Sequence, residues 1–233
     1  MRKVLYLLGA MLALASCADN FQVKGLSSVH YLEGKTLYLK AFVGDKLEEM
    51  DSCKVVHGKF SFSGNVDSVV MATLYVGDEC VMPLVLETGK LTVDIGEAEQ
   101  NVTGSELNDS LFCFIKKKTV IDKQMNELYR KESRMIMDGI DHETIVAQLN
   151  EEARVLMEET DALVTKFITS NYDNVLGPGV FMIVTSGMQY PVLTPQIEQI
   201  MLNATSRFMS HPYVEEYISV AEENMEKLNA VEE

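Results

Sequence analysis

Four cysteines, at positions 17, 53, 80 and 113, are the strongest nucleophiles in the chain, and their spacing limits what they can do. No two stand as Cys-x-x-Cys, the arrangement that holds a resolving thiol beside an attacking one, so dithiol redox catalysis from a local pair is not expected. Cys53 and Cys80 both fall in strand-like segments and could close one disulfide in an oxidising compartment. The alternative is that Cys53, Cys80 and Cys113 are small buried hydrophobes, with Cys113 on a helix among Leu111, Phe112 and Phe114. His30, His57, His142 and His211 never stand at i, i+4, nor beside a cysteine at zinc-ligand spacing, so the sequence supplies no local metal site. Ser52, Ser61 and Ser186 lack a Gly-x-Ser-x-Gly elbow, and no glycine loop is shaped to cradle phosphate. The densest carboxylates are Glu48-Glu49-Met50-Asp51, Glu151-Glu152 and Glu158-Glu159. Neighbours on a helix point about 100° apart, so the helical pairs read as solvated faces and not as an acid and a base held across a glycosidic bond. The chain has no tryptophan to serve as a sugar platform. We therefore expect no catalytic residue, no cofactor-binding residue, no metal ligand and no cofactor, in a protein that is not an enzyme.

Cys17 has a different setting. Arg2 and Lys3 precede an apolar run from Val4 to Ala15, the charged and hydrophobic parts of a secretory signal, too short for the about 20 residues that span a bilayer. The run ends in Leu14-Ala15-Ser16-Cys17, which resembles the lipobox of bacterial lipoproteins, where the cysteine thiol receives a diacylglycerol before cleavage. Residues 1–16 would then be a removed signal and acylated Cys17 the mature first residue, held in the membrane by several acyl chains. An ordinary signal peptide followed by an unrelated cysteine, or a buried helix, is the other reading. After Cys17 come Ala18-Asp19-Asn20-Phe21 with one acidic residue, fewer than surface-export signals of Bacteroidota lipoproteins usually carry. This points to an outer-membrane anchor facing the periplasm over one at the cell surface.

The elements that position these residues follow from periodicity and charge. The net charge of −15 excludes nucleic acid as a partner, because a polyanion is repelled along its whole surface. From Phe21 to about Thr103 apolar residues alternate between Gly and Asp punctuation, predicting antiparallel strands, most clearly Thr36–Val43, Lys59–Gly64, Ser68–Val76, Cys80–Glu87 and Lys90–Ile95. His57-Gly58 and Thr88-Gly89 fit tight turns and predict hairpins. The pattern changes at Ser105, an N-cap, and helical spacing follows. Asp141 caps a second helix, and Gly177-Pro178-Gly179 breaks the pattern before an apolar run from Val180 to Val184. Thr194-Pro195 opens a helix to about Met209, and His211-Pro212 a last one that fades after Leu228. The expected fold class is α+β, an antiparallel β-sandwich or partly open barrel over 17–104 followed by a helical region over 105–233.

The span from Phe21 to about Phe114 resembles the uncharacterised N-terminal domain of Bacteroidota lipoproteins that often precedes a thioredoxin-like thiol:disulfide oxidoreductase domain. The residues behind the resemblance are Asp51-Ser52, Gly58-Lys59-Phe60-Ser61-Phe62-Ser63-Gly64, Leu86-Glu87-Thr88-Gly89-Lys90-Leu91 and Thr103-Gly104-Ser105-Glu106-Leu107-Asn108. The helical stretch from Leu107 to about Gly187 resembles the connecting segment of that family. Where a Cys-x-x-Cys helix would follow, this chain has two more helices, so redox activity does not carry over. Asp67-Ser68-Val69 and Asp109-Ser110-Leu111 resemble a short O-glycosylation signal of Bacteroidota. The 14 methionines, Met182, Met188 and Met201 among them, either fill gaps between helices or line a groove for a hydrophobic partner. The expected function is a binding or interaction module of the envelope, engaging its lipid anchor and another envelope protein. Accessory work in thiol-disulfide exchange beside a separate thioredoxin-like protein, or carriage of a hydrophobic ligand, are the alternatives.

Overall fold

The computed structural model describes residues 20–43 and 46–232; Cys17 and the leader expected at 1–16 lie outside the described residues. The first half folds into strands β1 (Asn20–Ser27), β2 (Thr36–Val43), β3 (Lys46–Lys54), β4 (Lys59–Asn65), β5 (Val70–Val76), β6 (Glu79–Leu86), β7 (Gly89–Ile95) and β8 (Gln100–Thr103). They form two open four-stranded sheets, ordered β4-β1-β7-β8 and β3-β2-β5-β6. The α+β class and the sandwich are as expected. The alternation read in the sequence is the reason: Phe60 and Phe62 of β4, Leu37 and Leu39 of β2 and Leu91 and Val93 of β7 all turn inward, while their neighbours face out. Gly25 sits where an added Cβ would fall 2.0 Å from the Phe60 ring, so the ring lies directly on the β1 backbone.

Three features depart from the expectation. β1 runs parallel to β7, giving one parallel pair in an otherwise antiparallel structure. His57-Gly58 is a tight turn with both residues at positive φ, 52° and 68°, but it joins β3 of one sheet to β4 of the other. Only the isolated bridge Val56–Lys59 pairs its arms. Thr88-Gly89 likewise carries the chain from β6 to β7 across the sandwich. Turn chemistry fixes a reversal of direction, whereas the sheet each arm joins depends on which strands bury the alternating faces.

The second half contains α1 (Glu106–Met137), α2 (His142–Thr169), α3 (Leu176–Thr185), α4 (Pro195–Met201), α5 (Ser206–Met209) and α6 (Pro212–Glu232). Ser105 and Asp141 cap α1 and α2 through bonds from Asn108 N–H (3.2 Å) and Thr144 N–H (2.9 Å). Gly177-Pro178-Gly179 does not break the pattern but forms the first turn of α3. A proline there gives up an amide with no intrahelical acceptor, and the two glycines admit the Asn171 carbonyl and the Met71 side chain, each 2.4 Å from an added Cβ. The helix expected from Thr194 to Met209 is two, because Thr205 makes a fresh N-cap on Phe208 N–H. One hydrophobic cluster runs without interruption from the sandwich through Leu111 and Phe114 to Ile168, Val180, Phe208 and Tyr217. No helix among the described residues is long and apolar enough to cross a membrane.

Candidate functional site

An apolar cavity of about 260 Å³ opens where sheet β3-β2-β5-β6 meets α3 and the start of α6. Met71 stands on the face of β5 opposite buried Ala72 and Leu74 and packs onto Gly179 of α3. Phe42 and Val69 form the rim, Val175 and Met182 the helical wall, and His211, Tyr213 and Glu216 the entry to α6. Few polar groups converge here. Tyr213 Oη is already bonded to Thr185 Oγ1 at 3.0 Å, which in turn donates to the Phe181 carbonyl. His211 Nδ1 is shielded from solvent without a hydrogen-bond partner, and burial lowers the pKa of the imidazole, keeping it neutral. The site can hold an apolar group, and the described residues lining it include no nucleophile activated by a base.

The thiols are not brought together. Cys53 on β3 and Cys80 on β6 occupy the two edge strands of one sheet, with β2 and β5 between them, three strand spacings or about 14 Å. A disulfide needs Cα atoms within about 7 Å, and all three described cysteines are free, so the expected Cys53–Cys80 pairing is corrected. The picture of three buried thiols is corrected too. Cys53 is half-buried, whereas Cys80 and Cys113 are exposed. Leu111, Phe112 and Phe114 face the core, and at about 100° per residue Cys113 lands opposite the centre of that face. Burial pushes the Cys53 thiol above its usual range, which keeps it protonated and slow.

Several of the acidic groups have structural partners. Asp51 accepts from Ser52 N–H and Ser63 N–H, both at 2.8 Å, tying β3 to β4. Glu151 pairs with Arg154 at 2.6 Å and Glu152 with Lys131 across the α1–α2 hairpin. Of the serines in the short glycosylation pattern, Ser68 is exposed beside Val69 at the cavity rim and Ser110 is half-buried on α1. No cluster of three or more metal-ligating side chains occurs among the described residues.

The residues that carried the family resemblance build the frame. Gly104, at φ 105°, passes so close to the Lys90 carbonyl that a Cβ would lie 2.4 Å away. Ser105 caps α1, and Asn108, fully buried, presents its side-chain amide to the edge of β6 like one more strand. It accepts from Val85 N–H and donates to Val85 C=O, each at 2.9 Å. Residues 21–111 match the family model of a domain of unknown function, DUF4369. The matched DUF4369 span takes in both sheets and the first turns of α1, through Asn108 and Leu111. That reach is physical, because β6 needs the Asn108 amide to satisfy its outer edge. An uncharacterised N-terminal domain is thus present, as the resemblance implied. No curated protein matches the chain.

Sequence reasoning named Met182 and His211 separately and missed Phe42, Met71, Val175 and Gly179 as their neighbours. No local signal links them, since Phe42 and Met71 lie on the sheet face opposite its buried alternation, and Val175 and Gly179 lie at the start of α3, far away in sequence.

Proposed function

We propose that the protein is a cell-envelope lipoprotein of the Bacteroidota type, anchored through acylated Cys17 to the periplasmic face of the outer membrane, whose body is a non-enzymatic binding module. The observation that carries the binding reading is the apolar cavity at the seam of sheet and helices, with its single unpartnered imidazole nitrogen. The anchor reading is supported by the lipobox-like Leu14-Ala15-Ser16-Cys17 and by the DUF4369 match four residues beyond it. Metabolic labelling with a clickable palmitate analogue tests the anchor. Label lost on Cys17→Ala, with the protein released from membranes, is the expected result; label retained on that variant rejects it. Native mass spectrometry of the protein from its own envelope tests the module, and a non-covalent mass excess that disappears on denaturation is expected.

A further inference from the structure

The cavity lies at the end of the sandwich from which the chain begins. Asn20 pairs with Asn65 at the end of β4, and Val69, on the cavity rim, follows only four residues later. Phe42 comes to the same end, because β2 pairs with β5 through Ala41 and Ala72 and its last residues extend beside Met71 and Val70. The rim is apolar and open to solvent, Phe42 being 42% and Val69 37% exposed. On the lipoprotein reading only residues 18 and 19 separate the acylated cysteine from β1, a reach of at most about 11 Å. The exposed rim therefore faces the bilayer that the anchor holds beside it.

The chemistry of the lining selects the occupant. At about 260 Å³ the cavity falls below the roughly 300 Å³ at which drug-sized pockets begin, which suits one slender chain better than a folded ligand. Met71 and Met182 supply unbranched thioethers that adapt to a flexible hydrocarbon. Among the described residues no lysine or arginine lines the cavity, and Glu216 stands at its mouth, so a free carboxylate or phosphate would meet repulsion there. An ester group carries no charge, so the neutral head of an esterified chain meets no such repulsion at the mouth.

We propose that this cavity receives one hydrocarbon chain of an esterified lipid, supplied either by the diacylglycerol on Cys17 or by the bilayer beneath it. The assignment rests on the lipid-anchor reading above for the direction the rim faces.

The test is photocross-linking in intact envelopes with the full-length protein. Benzoylphenylalanine is placed at Val69 on the rim and, as a control, at Val56, which is 54% exposed at the other end of the sandwich. Both side chains are exposed, so neither substitution threatens the fold. The expected result is at least ten-fold more lipid adduct at 69 than at 56. An adduct joining residue 69 to an acyl chain of the Cys17 lipopeptide, freed from the peptide by ester hydrolysis, identifies the anchor as the source, and one with the mass of a glycerolipid identifies the bilayer. Equal lipid adducts at the two positions, or protein adducts alone at 69, overturn the proposal. The mass of the mature N-terminal peptide, with or without diacylglycerol, reports on the anchor separately from the cavity.

Discussion

Asn108 shows how much a single side chain can hold. Its amide serves both polar groups of Val85 inside the core, so Asn108→Ala strands a buried donor and a buried acceptor and should cost about 2–5 kcal/mol. Urea denaturation should show that loss, with an unchanged m-value if the folded state keeps its compactness. Glu33 does a related job at the surface. Its carboxylate accepts from His57 N–H (2.8 Å) and Gly58 N–H (2.9 Å), and those two bonds, Gly58's first, hold its pKa below the usual carboxylate value. A lowered folded pKa means that the contribution to stability is complete above about pH 5 and fades as pH falls through the folded value. Glu33→Gln should therefore lower the urea midpoint at pH 7, and the gap between variant and wild type should narrow as pH falls below the ordinary carboxylate range. The thiols give a third outcome: under native conditions maleimide should modify Cys80 and Cys113 well before half-buried Cys53, and all three should be free. Detecting one thiol in place of three after denaturation would contradict the geometry of the sheet.

The helices divide into parts that share the core and parts that do not. Along α1, Leu111, Phe112 and Phe114 join the main cluster, whereas beyond them Ile121 and Met135 are the buried apolar side chains, packed only within the α1–α2 hairpin. Tyr129, Ile136 and Met137 stand 60–77% exposed towards its tip. Few buried contacts and exposed ion pairs contribute little local stability. Hydrogen exchange should therefore protect amides of α1 up to about Ile115, and of α2 from Val164 onward, far more strongly than those near Gly139. Caps made the ends of these helices readable: Ser105, Asp141 and Thr194 all cap as their residue types imply. Thr205 is a cap of the same residue type, and it divides the span from Thr194 to Met209 into α4 and α5. The Gly-Pro-Gly sequence misled, since its breaking power vanishes in a first turn.

Across the whole molecule the sheets and helices share one hydrophobic cluster, and β6 relies on α1 for its outer edge. Differential scanning calorimetry should accordingly show a single transition with calorimetric and van't Hoff enthalpies in agreement. A fragment ending at Gly104, although it contains all eight described strands, should fail to fold cooperatively, because it leaves Val85 unpaired and uncovers the face on which Leu111 and Phe114 lie. Two separate transitions, or a folded fragment, would count against that continuity.

The order of strands and helices, the caps and the inward faces of the strands were set locally, by side-chain periodicity and by residues that satisfy helix-end amides. Each depends on interactions within a few positions of the chain. What only the tertiary structure decided were the long-range pairings. Two turns that read as hairpins carry the chain between sheets, Cys53 and Cys80 go to opposite edges, and Phe42, Met71, Gly179 and His211 meet around one cavity. Those outcomes follow from burying every apolar face at once, a condition on the whole chain that no short window of residues contains.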